Sequence, residues 1–302
     1  MPLTYTPRKR FSPQEYAQAI LAGDRIMLSR AITLIESKLP SDVALAEKVL
    51  EIILPHTGNS LRVGITGVPG VGKSTFIESF GKLITGMGKK LAVLTIDPSS
   101  QRSKGSILGD KTRMESLAND PMAYIRPSAS GATLGGVNNK TRETMLLCEA
   151  AGYEVILIET VGVGQSETTV AEIADFFLLL MLAGAGDELQ GIKKGIMEMA
   201  DALVITKADG DNVTMSQMAA REYANAMRLF PAQDSGWEPE VLTCSSVEQR
   251  GLDAIWDVIV RHHELMCKTG YFQAKRMEQN IAWMNEIIDY YLKYDFLHAP
   301  AV

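Results

Sequence analysis

The stretch 61-LRVGITGVPGVGKSTFIESF-80 decides the fold of this chain. A short apolar run is followed by glycines and then by residues with helical spacing, which predicts a β-strand, a tight turn and an α-helix. The turn matches the pattern G-x-x-x-x-G-K-[S/T] through Gly67, Gly72, Lys73 and Ser74. In this strand and helix context, the pattern is typical of a loop that binds the phosphates of a nucleotide.

The residue types of this loop explain how it binds phosphate. Backbone N–H groups reach phosphate oxygens only where side chains leave room, and glycines provide that room. Lys73 supplies positive charge between the β- and γ-phosphates, the Ser74 hydroxyl is a ligand for Mg²⁺, and the helix N-terminus adds its dipole. We therefore predict a catalytic Lys73 and nucleotide contacts from Gly67, Val68, Pro69, Gly70, Val71, Gly72, Lys73, Ser74 and Thr75.

Short apolar runs alternate with helical stretches from residue 61 onward. Continuous apolar strands separated by helices predict an α/β fold, a P-loop NTPase with a mostly parallel central sheet covered by helices. We predict an N-terminal helical segment over 1–58, the P-loop domain over 59–262 and a C-terminal helical extension over 263–302. The runs that predict strands are LRVGIT, KLAVLTI, YEVILIE, DFFLLLML, DALVITK and EVLTCSS.

The C-terminal extension has an apolar face, and we expect no later domain to cover it. Its apolar residues recur mostly at three- and four-residue spacing, which is typical of an amphipathic helix. The face either folds back on its own domain or packs on a second chain, so the extension is a candidate dimerisation element. Its residues are Met277, Ile281, Met284, Ile287, Ile288 and Tyr291.

Composition argues against several classes of protein. The formal charge is -6 and no basic stripe is interleaved with aromatic residues, so we expect no nucleic-acid partner. The longest apolar run, 176–183, is much shorter than the roughly 20 residues that span a bilayer, so we expect no membrane span. Three cysteines are too few for a disulfide framework, which favours a cytoplasmic protein.

Carboxylates follow two of the predicted strands, where a metal ligand is expected. Mg²⁺ bound to a triphosphate needs one or two carboxylates, and the C-terminal ends of parallel strands face the phosphates. Asp97 and Glu159 occupy such ends, although a helix-capping role remains open for both. Glu159 to Gly162 has the spacing of a D-x-x-G switch, so the Gly162 N–H is predicted to meet the γ-phosphate. From its own surroundings, Asp110 is a helix cap.

The sequence Thr206-Lys207-Ala208-Asp209 is close to the N-K-x-D signature of guanine binding. The Asp209 carboxylate can accept hydrogen bonds from the guanine N1–H and 2-amine, whereas adenine would leave it unpaired at a cost of about 1–3 kcal/mol. The Lys207 stem can cover the base. Thr206 replaces the usual asparagine, and the loss of the amide is expected to weaken the bracing of the loop. Backbone N–H groups of Ser245 and Ser246 are candidates for contact with the guanine O6.

Together, GVPGVGKST, TIDPSS, GSILGDKTRM, ETVGVGQSE, ITKADGDN and CSSVEQRGLDAIW resemble the methylmalonyl-CoA mutase-associated GTPase family over about residues 13–270. The resemblance implies a homodimeric GTPase that converts GTP to GDP and phosphate. It implies a chaperone that binds an adenosylcobalamin-dependent methylmalonyl-CoA-type mutase and couples hydrolysis to loading, protection or reactivation of its cofactor. It also implies that Asp97, Asp110 and Glu159 are magnesium-site acids.

Two departures and two alternatives accompany this resemblance. The family usually has asparagine where Thr206 stands, and its C-terminal helical arm is longer. The alternatives are a nucleotide-dependent protein kinase of an amino-acid transport system, which is the family's older name, and a metal-insertion GTPase.

The group that completes catalysis has several candidates. Hydrolysis at a P-loop needs charge neutralisation at the γ-phosphate and a positioned water. Lys193, Arg113 and Gln165 are the candidates, and Gln165 comes three residues after Gly162. The stretch AGAGDELQGIKKGIME is either a solvated loop or a mobile segment that reports the nucleotide. We expect slow intrinsic turnover that rises when the mutase binds and moves Lys193 or Arg113 inward.

Overall fold

The computed structural model describes residues 10–96, 114–127, 134–160, 166–184, 194–231 and 233–298. The chain divides into two compact units. The first consists of Met1–Asn59 and Arg142–Tyr153, and the second consists of Ser60–Thr141 and Glu154–Val302. The domain boundaries proposed from sequence remain predictions, since the first unit also takes in a segment from the middle of the chain.

Three helices that pack on one another form most of the first unit. They are α1 (Pro13–Leu21), α2 (Arg25–Glu36) and α3 (Pro40–Ile53). Ser12 begins α1 with a capping box, since its hydroxyl accepts from Glu15 N while the Glu15 carboxylate accepts from Ser12 N. Every third or fourth residue faces inward, which is why the unit has an apolar core. Its buried members include Ile20, Leu28, Ile32, Ile35, Val49 and Ile53.

A seven-stranded sheet is the centre of the second unit, in the order β3-β2-β4-β1-β5-β6-β7. Every strand pairing is parallel. The predicted α/β fold with a mostly parallel sheet is therefore confirmed. The strands are β1 (Leu61–Gly67), β2 (Leu91–Ile96), β3 (Ala123–Pro127), β4 (Val155–Thr160), β5 (Phe176–Met181), β6 (Ala202–Ile205) and β7 (Glu240–Thr243).

Helices follow the strands and cover them, so the inner strands are buried along their length. One helix lies very close to β1, because a Cβ atom on Gly64 would come within 2.6 Å of Val170. The remaining helices are α4 (Lys73–Gly86), α5 (Glu115–Ala118), α6 (Leu134–Ala150), α7 (Ser166–Ile173), α8 (Lys194–Glu198), α9 (Val213–Met227), α10 (Leu252–Thr269) and α11 (Tyr271–His298). None of the helices in the described part of the chain combines the length and apolarity needed to cross a membrane.

Buried acids occupy the N-terminal edge of the sheet, where strands present unpaired N–H groups. Asp175 precedes β5 and accepts from Arg62 N at 2.8 Å. Asp201 precedes β6 and accepts from Phe177 N at 2.8 Å. The Arg276 guanidinium of α11 donates to both Asp175 oxygens, at 2.7 and 2.6 Å. This ion pair attaches α11 to the edge of the sheet.

Two aromatic side chains pack around Asp201 at this edge. Trp237 Nε1 donates to the Asp201 carbonyl at 2.8 Å, and His262 Nε2 lies 3.7 Å from Asp201 Oδ1. Burial raises the pKa of Asp201 to about 6, because the charged carboxylate is poorly solvated there. Burial lowers the pKa of His262 to about 3. Both shifts act in favour of the neutral form, so His262 is neutral at pH 7, whereas Asp201 becomes neutral only below about pH 6.

Beyond its attachment, α11 leaves its apolar face exposed. Met277 is 65% exposed and Met284 is 52% exposed, and the neighbouring members of the same face are similar. The predicted face exists, and among the described residues it does not fold back on its own domain. The other exposed members are Ile281, Ile288 and Tyr291.

Candidate nucleotide-binding site

The predicted phosphate loop connects β1 to α4. β1 ends at Gly67 and α4 begins at Lys73, directly after Gly72 in a left-handed conformation with φ 91°. Gly67 must be glycine for another reason, since a Cβ atom there would lie 2.4 Å from the Leu180 carbonyl oxygen of β5. The glycines thus allow both the turn and the close passage beside β5, of which the passage was not predicted.

Lys73 lies at the start of α4 with its ammonium group turned back over the loop. Its Nζ donates to Gly67 O at 2.9 Å. Burial lowers the pKa of Lys73, and the nearby carboxylates of Glu159 and Glu167 oppose that shift. Lys73 is thus a poorly solvated cation near two acids, and its ammonium group can exchange its bond with Gly67 O for one with a phosphate.

Glu167 was not among the residues predicted from sequence. It belongs to the first turn of α7 and is buried. Its charge acts on Lys73, so it belongs to the surroundings of the phosphate loop. The available signal was its position as the second acid of ETVGVGQSE, eight residues after Glu159.

Ser74 and Glu159 meet beside the phosphate loop. Glu159 is opposite Ile65 in the pairing of β1 with β4, which brings its carboxylate to this end of the sheet. Ser74 Oγ donates to Glu159 Oε1 at 3.5 Å. A hydroxyl and a carboxylate are the hard oxygen donors that Mg²⁺ prefers, so this pair fits the ion. The other predicted residues of this site all lie outside the described residues. They are Asp97, Asp110, Arg113, Gly162, Gln165 and Lys193.

The predicted base-reading residues come together because β6 pairs with β7. Ser245 Oγ donates to Asp209 Oδ2 at 2.6 Å. The Ser245 N–H donates to Arg250 O at 3.0 Å, so the predicted contact of this N–H with guanine O6 is wrong for Ser245. Ser245 instead contributes its hydroxyl. Ser246 lies beside α4, where its carbonyl accepts from Ser79 Oγ at 2.9 Å.

Thr206 braces the phosphate loop even though it lacks the amide of asparagine. Its buried hydroxyl has one proton to donate and lies 2.8 Å from Val71 O, the nearer acceptor, and 3.2 Å from Met181 O. Lys207, with φ 56°, donates from Nζ to Gly70 O at 2.8 Å. Thr206 thus braces the loop through its hydroxyl, because β6 runs close enough to the loop for a short side chain to reach it. That this brace is weaker than the one asparagine would give stays a prediction.

Two further residues hold the base-reading loop and were missed from sequence. Asn212 Nδ2 donates to Lys207 O at 2.7 Å, and Arg250 Nη2 donates to Ala208 O at 2.6 Å. Asn212 is close in sequence and belongs to a local turn. Arg250 is 42 residues from Ala208, so no sequence pattern joined the two.

A parallel sheet with a glycine-rich loop between β1 and α4, braced by a second polar loop after β6, defines a P-loop nucleotide-binding protein. The family profile described as methylmalonyl-CoA mutase-associated GTPase MeaB matches residues 28–300. The chain belongs to this family and is a GTPase that binds guanine nucleotide.

Individual relatives agree with this assignment. A putative GTPase of Caulobacter vibrioides is 52% identical over 283 residues, covering 94% of this chain and 86% of the relative. The mouse methylmalonic aciduria type A homolog, mitochondrial, is 44% identical, covering 97% and 73%. A crystal structure of a LAO/AO transport system kinase superposes with a TM-score of 0.81 at 40% identity, covering 98% of this chain and 89% of that one.

Proposed function

We propose that this GTPase is a chaperone of an adenosylcobalamin-dependent methylmalonyl-CoA-type mutase. Hydrolysis of GTP to GDP and phosphate would be coupled to loading, protection or reactivation of the mutase cofactor. The observation that carries the proposal is the family match over residues 28–300, whose description names association with methylmalonyl-CoA mutase. A reducing cytoplasm suits the three free cysteines of the chain.

The nucleotide is proposed to lie along the C-terminal edge of the sheet. Lys73 and the backbone N–H groups of the phosphate loop bind the β- and γ-phosphates. Asp209, oriented by Ser245, reads the guanine edge, and Lys207 covers the base. Two hydrogen bonds, from Thr206 and from Lys207, join the base-reading loop to the phosphate loop and support this proposal.

Mg²⁺ is proposed to be held by Ser74 and Glu159, together with Asp97 and Asp110. The close approach of the Ser74 hydroxyl to the Glu159 carboxylate supports this donor set. When bound, the ion would neutralise part of the negative charge on the phosphates. Gly162 is proposed to contact the γ-phosphate through its N–H.

The chain is proposed to act with a partner in catalysis. Lys193, Arg113 and Gln165 remain the candidates for charge neutralisation and water positioning at the γ-phosphate. Slow intrinsic turnover would rise when the mutase binds and one of these groups moves inward. Equal turnover with and without a mutase, measured as phosphate release from GTP, would contradict this part of the proposal.

A homodimer is proposed to form through α11. Its exposed apolar residues recur at spacings of four, three, four and three, the periodicity of a helix that packs along another helix. An exposed stripe of this kind is stabilised when a second copy covers it. Sedimentation over a range of concentrations tests this, and a monomer at every concentration would contradict it.

One experiment separates the chaperone from a protein kinase of a transport system, the activity for which the LAO/AO transport system kinase is named. GTP labelled at the γ-phosphate is incubated with the chain and a mutase. Label released as free phosphate supports the chaperone. Label retained on a protein would overturn it and favour the kinase.

A further inference from the structure

The segment that follows β7, residues 245–250, folds back against the base-reading loop. Ser245 and Arg250 exchange backbone hydrogen bonds at 3.0 Å in each direction. Gln249, with φ 53°, and Gly251, with φ 78°, provide the tight turn. Gly251 also passes close to β7, since a Cβ atom there would lie 2.5 Å from the Thr243 carbonyl oxygen. This turn places Arg250 beside Ala208.

Ala208 is held on both sides of its backbone. Its N–H donates to Cys244 O at 3.0 Å, and its carbonyl accepts from Arg250 Nη2 at 2.6 Å. Ala208 itself is buried. A short bond from a cation to a carbonyl is a strong one, and it restrains the peptide that leads directly into Asp209.

The Asp209 side chain is held separately by Ser245. The Ser245 hydroxyl donates to Asp209 Oδ2 at 2.6 Å and accepts from Glu248 N at 3.0 Å. Its single proton is thereby directed at Asp209. One turn of chain thus restrains both the carboxylate and the backbone just before it.

Arg250 also forms an ion pair with Glu248, at 2.9 Å. Both side chains are largely exposed, and exposed ion pairs contribute little to stability. The ion pair is therefore not what makes Arg250 important. The contact with Ala208 O is the one that reaches the nucleotide site.

We propose that Arg250 is a positioning residue for guanine recognition. By holding the Ala208 carbonyl, it keeps the Asp209 carboxylate aligned with both the N1–H and the 2-amine of the base. The inference rests on the proposed reading of guanine by Asp209. A displaced carboxylate loses more with guanine, which offers two donors, than with hypoxanthine, which offers the N1–H alone.

The test compares the affinities of the full-length chain for GDP and for inosine diphosphate, whose base lacks the 2-amine. We expect Arg250→Ala to lower the ratio of GDP affinity to inosine diphosphate affinity by about three- to tenfold. Arg250→Lys keeps a donor but not the planar fork, so its affinity ratio should fall between those of the wild type and Arg250→Ala. Arg261→Ala is the matched control, because Arg261 is equally exposed at 56% and pairs with Glu240 at 2.9 Å. It should leave the ratio unchanged.

Three outcomes would overturn the inference. An unchanged ratio in Arg250→Ala, together with a lowered ratio in Asp209→Asn, would leave the reading of guanine intact and remove Arg250 from it. An equal loss of both nucleotides in Arg250→Ala would indicate a general structural role. An unchanged ratio in Asp209→Asn would show that the base is read elsewhere, and the proposed role of Asp209 would fall with that of Arg250.

Discussion

Carboxylates that bind backbone N–H groups distinguish the N-terminal edge of the sheet from the C-terminal edge. At the N-terminal edge, the carboxylates of Asp175 and Asp201 accept from strand N–H groups. At the C-terminal edge, hydroxyl and cationic side chains donate to backbone carbonyls, as Thr206, Lys207 and Arg250 do. Parallel strands all begin at the same edge, so the N-terminal edge offers the N–H groups that Asp175 and Asp201 accept from.

The N-terminal edge of the sheet serves the fold, whereas the C-terminal edge serves a binding site. The acids of the N-terminal edge are buried, and Arg276 of α11 donates to the Asp175 carboxylate. At the C-terminal edge, the bonded carbonyls of Gly70 and Val71 belong to the phosphate loop and that of Ala208 to the base-reading loop. Because C=O and N–H of one trans peptide point in opposite directions, the bond from Thr206 to Val71 O turns the Gly72 N–H to the other side of the loop. One edge therefore stabilises the fold, while the other presents donors to a ligand.

The largest effect is expected at the N-terminal edge of the sheet. Arg276→Ala should lower the free energy of unfolding by about 3–5 kcal/mol, because it leaves the buried Asp175 carboxylate without its cation. Urea denaturation measures this. The control is Lys89→Ala at the same edge, whose ion pair with Glu154 is exposed and should contribute less than about 1 kcal/mol. Similar losses in both variants would contradict the distinction between the edges.

At the opposite edge, Lys73→Ala should affect turnover and spare the fold. We expect GTP turnover to fall about 100- to 1000-fold, since the γ-phosphate loses its cation. The free energy of unfolding should change by only about 1 kcal/mol, the usual contribution of a single hydrogen bond such as that to Gly67 O. Lys82→Ala, on the same helix but paired with Asp120, is the control and should retain turnover. Normal turnover in Lys73→Ala would reject the phosphate site.

The N-terminal edge should also make the stability of the fold depend on pH. Asp201 has a pKa of about 6, above its ordinary 3.8, so the native state binds more protons than the unfolded chain and stability rises as pH falls from 6 to 4. His262, with a pKa of about 3 against its ordinary 6.5, acts in the opposite direction, because the unfolded chain takes up its proton first. The two trends offset each other in the wild type.

Asp201→Asn removes the first trend and keeps an acceptor for Phe177 N. Between pH 6 and pH 4, the variant should lose about 2 kcal/mol more stability than the wild type. Denaturation curves at several pH values measure this difference. Parallel curves would contradict the titration of Asp201, and Asp257→Asn, an exposed acid of α10, serves as the control.

The smallest effect concerns the brace of the phosphate loop. Thr206→Val removes a buried hydroxyl at nearly constant volume, so GDP should bind about five- to tenfold more weakly, a loss of about 1–1.4 kcal/mol. Thr206→Ser keeps the hydroxyl and should bind nearly as well as the wild type. Isothermal titration with GDP measures both. If the two variants bound equally well, the brace would have no part in nucleotide binding.

The phosphate loop was predictable because its function is local. Eight contiguous residues specify the turn, the cation and the hydroxyl, and the flanking patterns specify the strand and the helix. Glu159 could be assigned as well, since a strand-end position is visible in the sequence and parallel strands bring their ends together. The apolar face of α11 followed from its spacing, whereas its exposure did not.

The contacts between distant segments were not predictable in this way. Arg276 meets Asp175 from 101 residues away, and Arg250 meets Ala208 from 42 residues away. No sequence pattern pairs either arginine with its acceptor. The hydrogen bond from the Thr206 hydroxyl to the phosphate loop was not predicted either, because the reach of a short side chain depends on how closely β6 passes the loop.

By itself, the sequence determined the P-loop fold, the phosphate loop and the placement of an acid beside it, because these depend on residue order over short stretches. Only the tertiary structure decided which side chains hold the loops in place. Strand register and the return of the chain after β7 bring Thr206, Ser245 and Arg250 to their acceptors. Hydrogen bonds depend on distances of a few tenths of an ångström, which packing determines and sequence spacing does not.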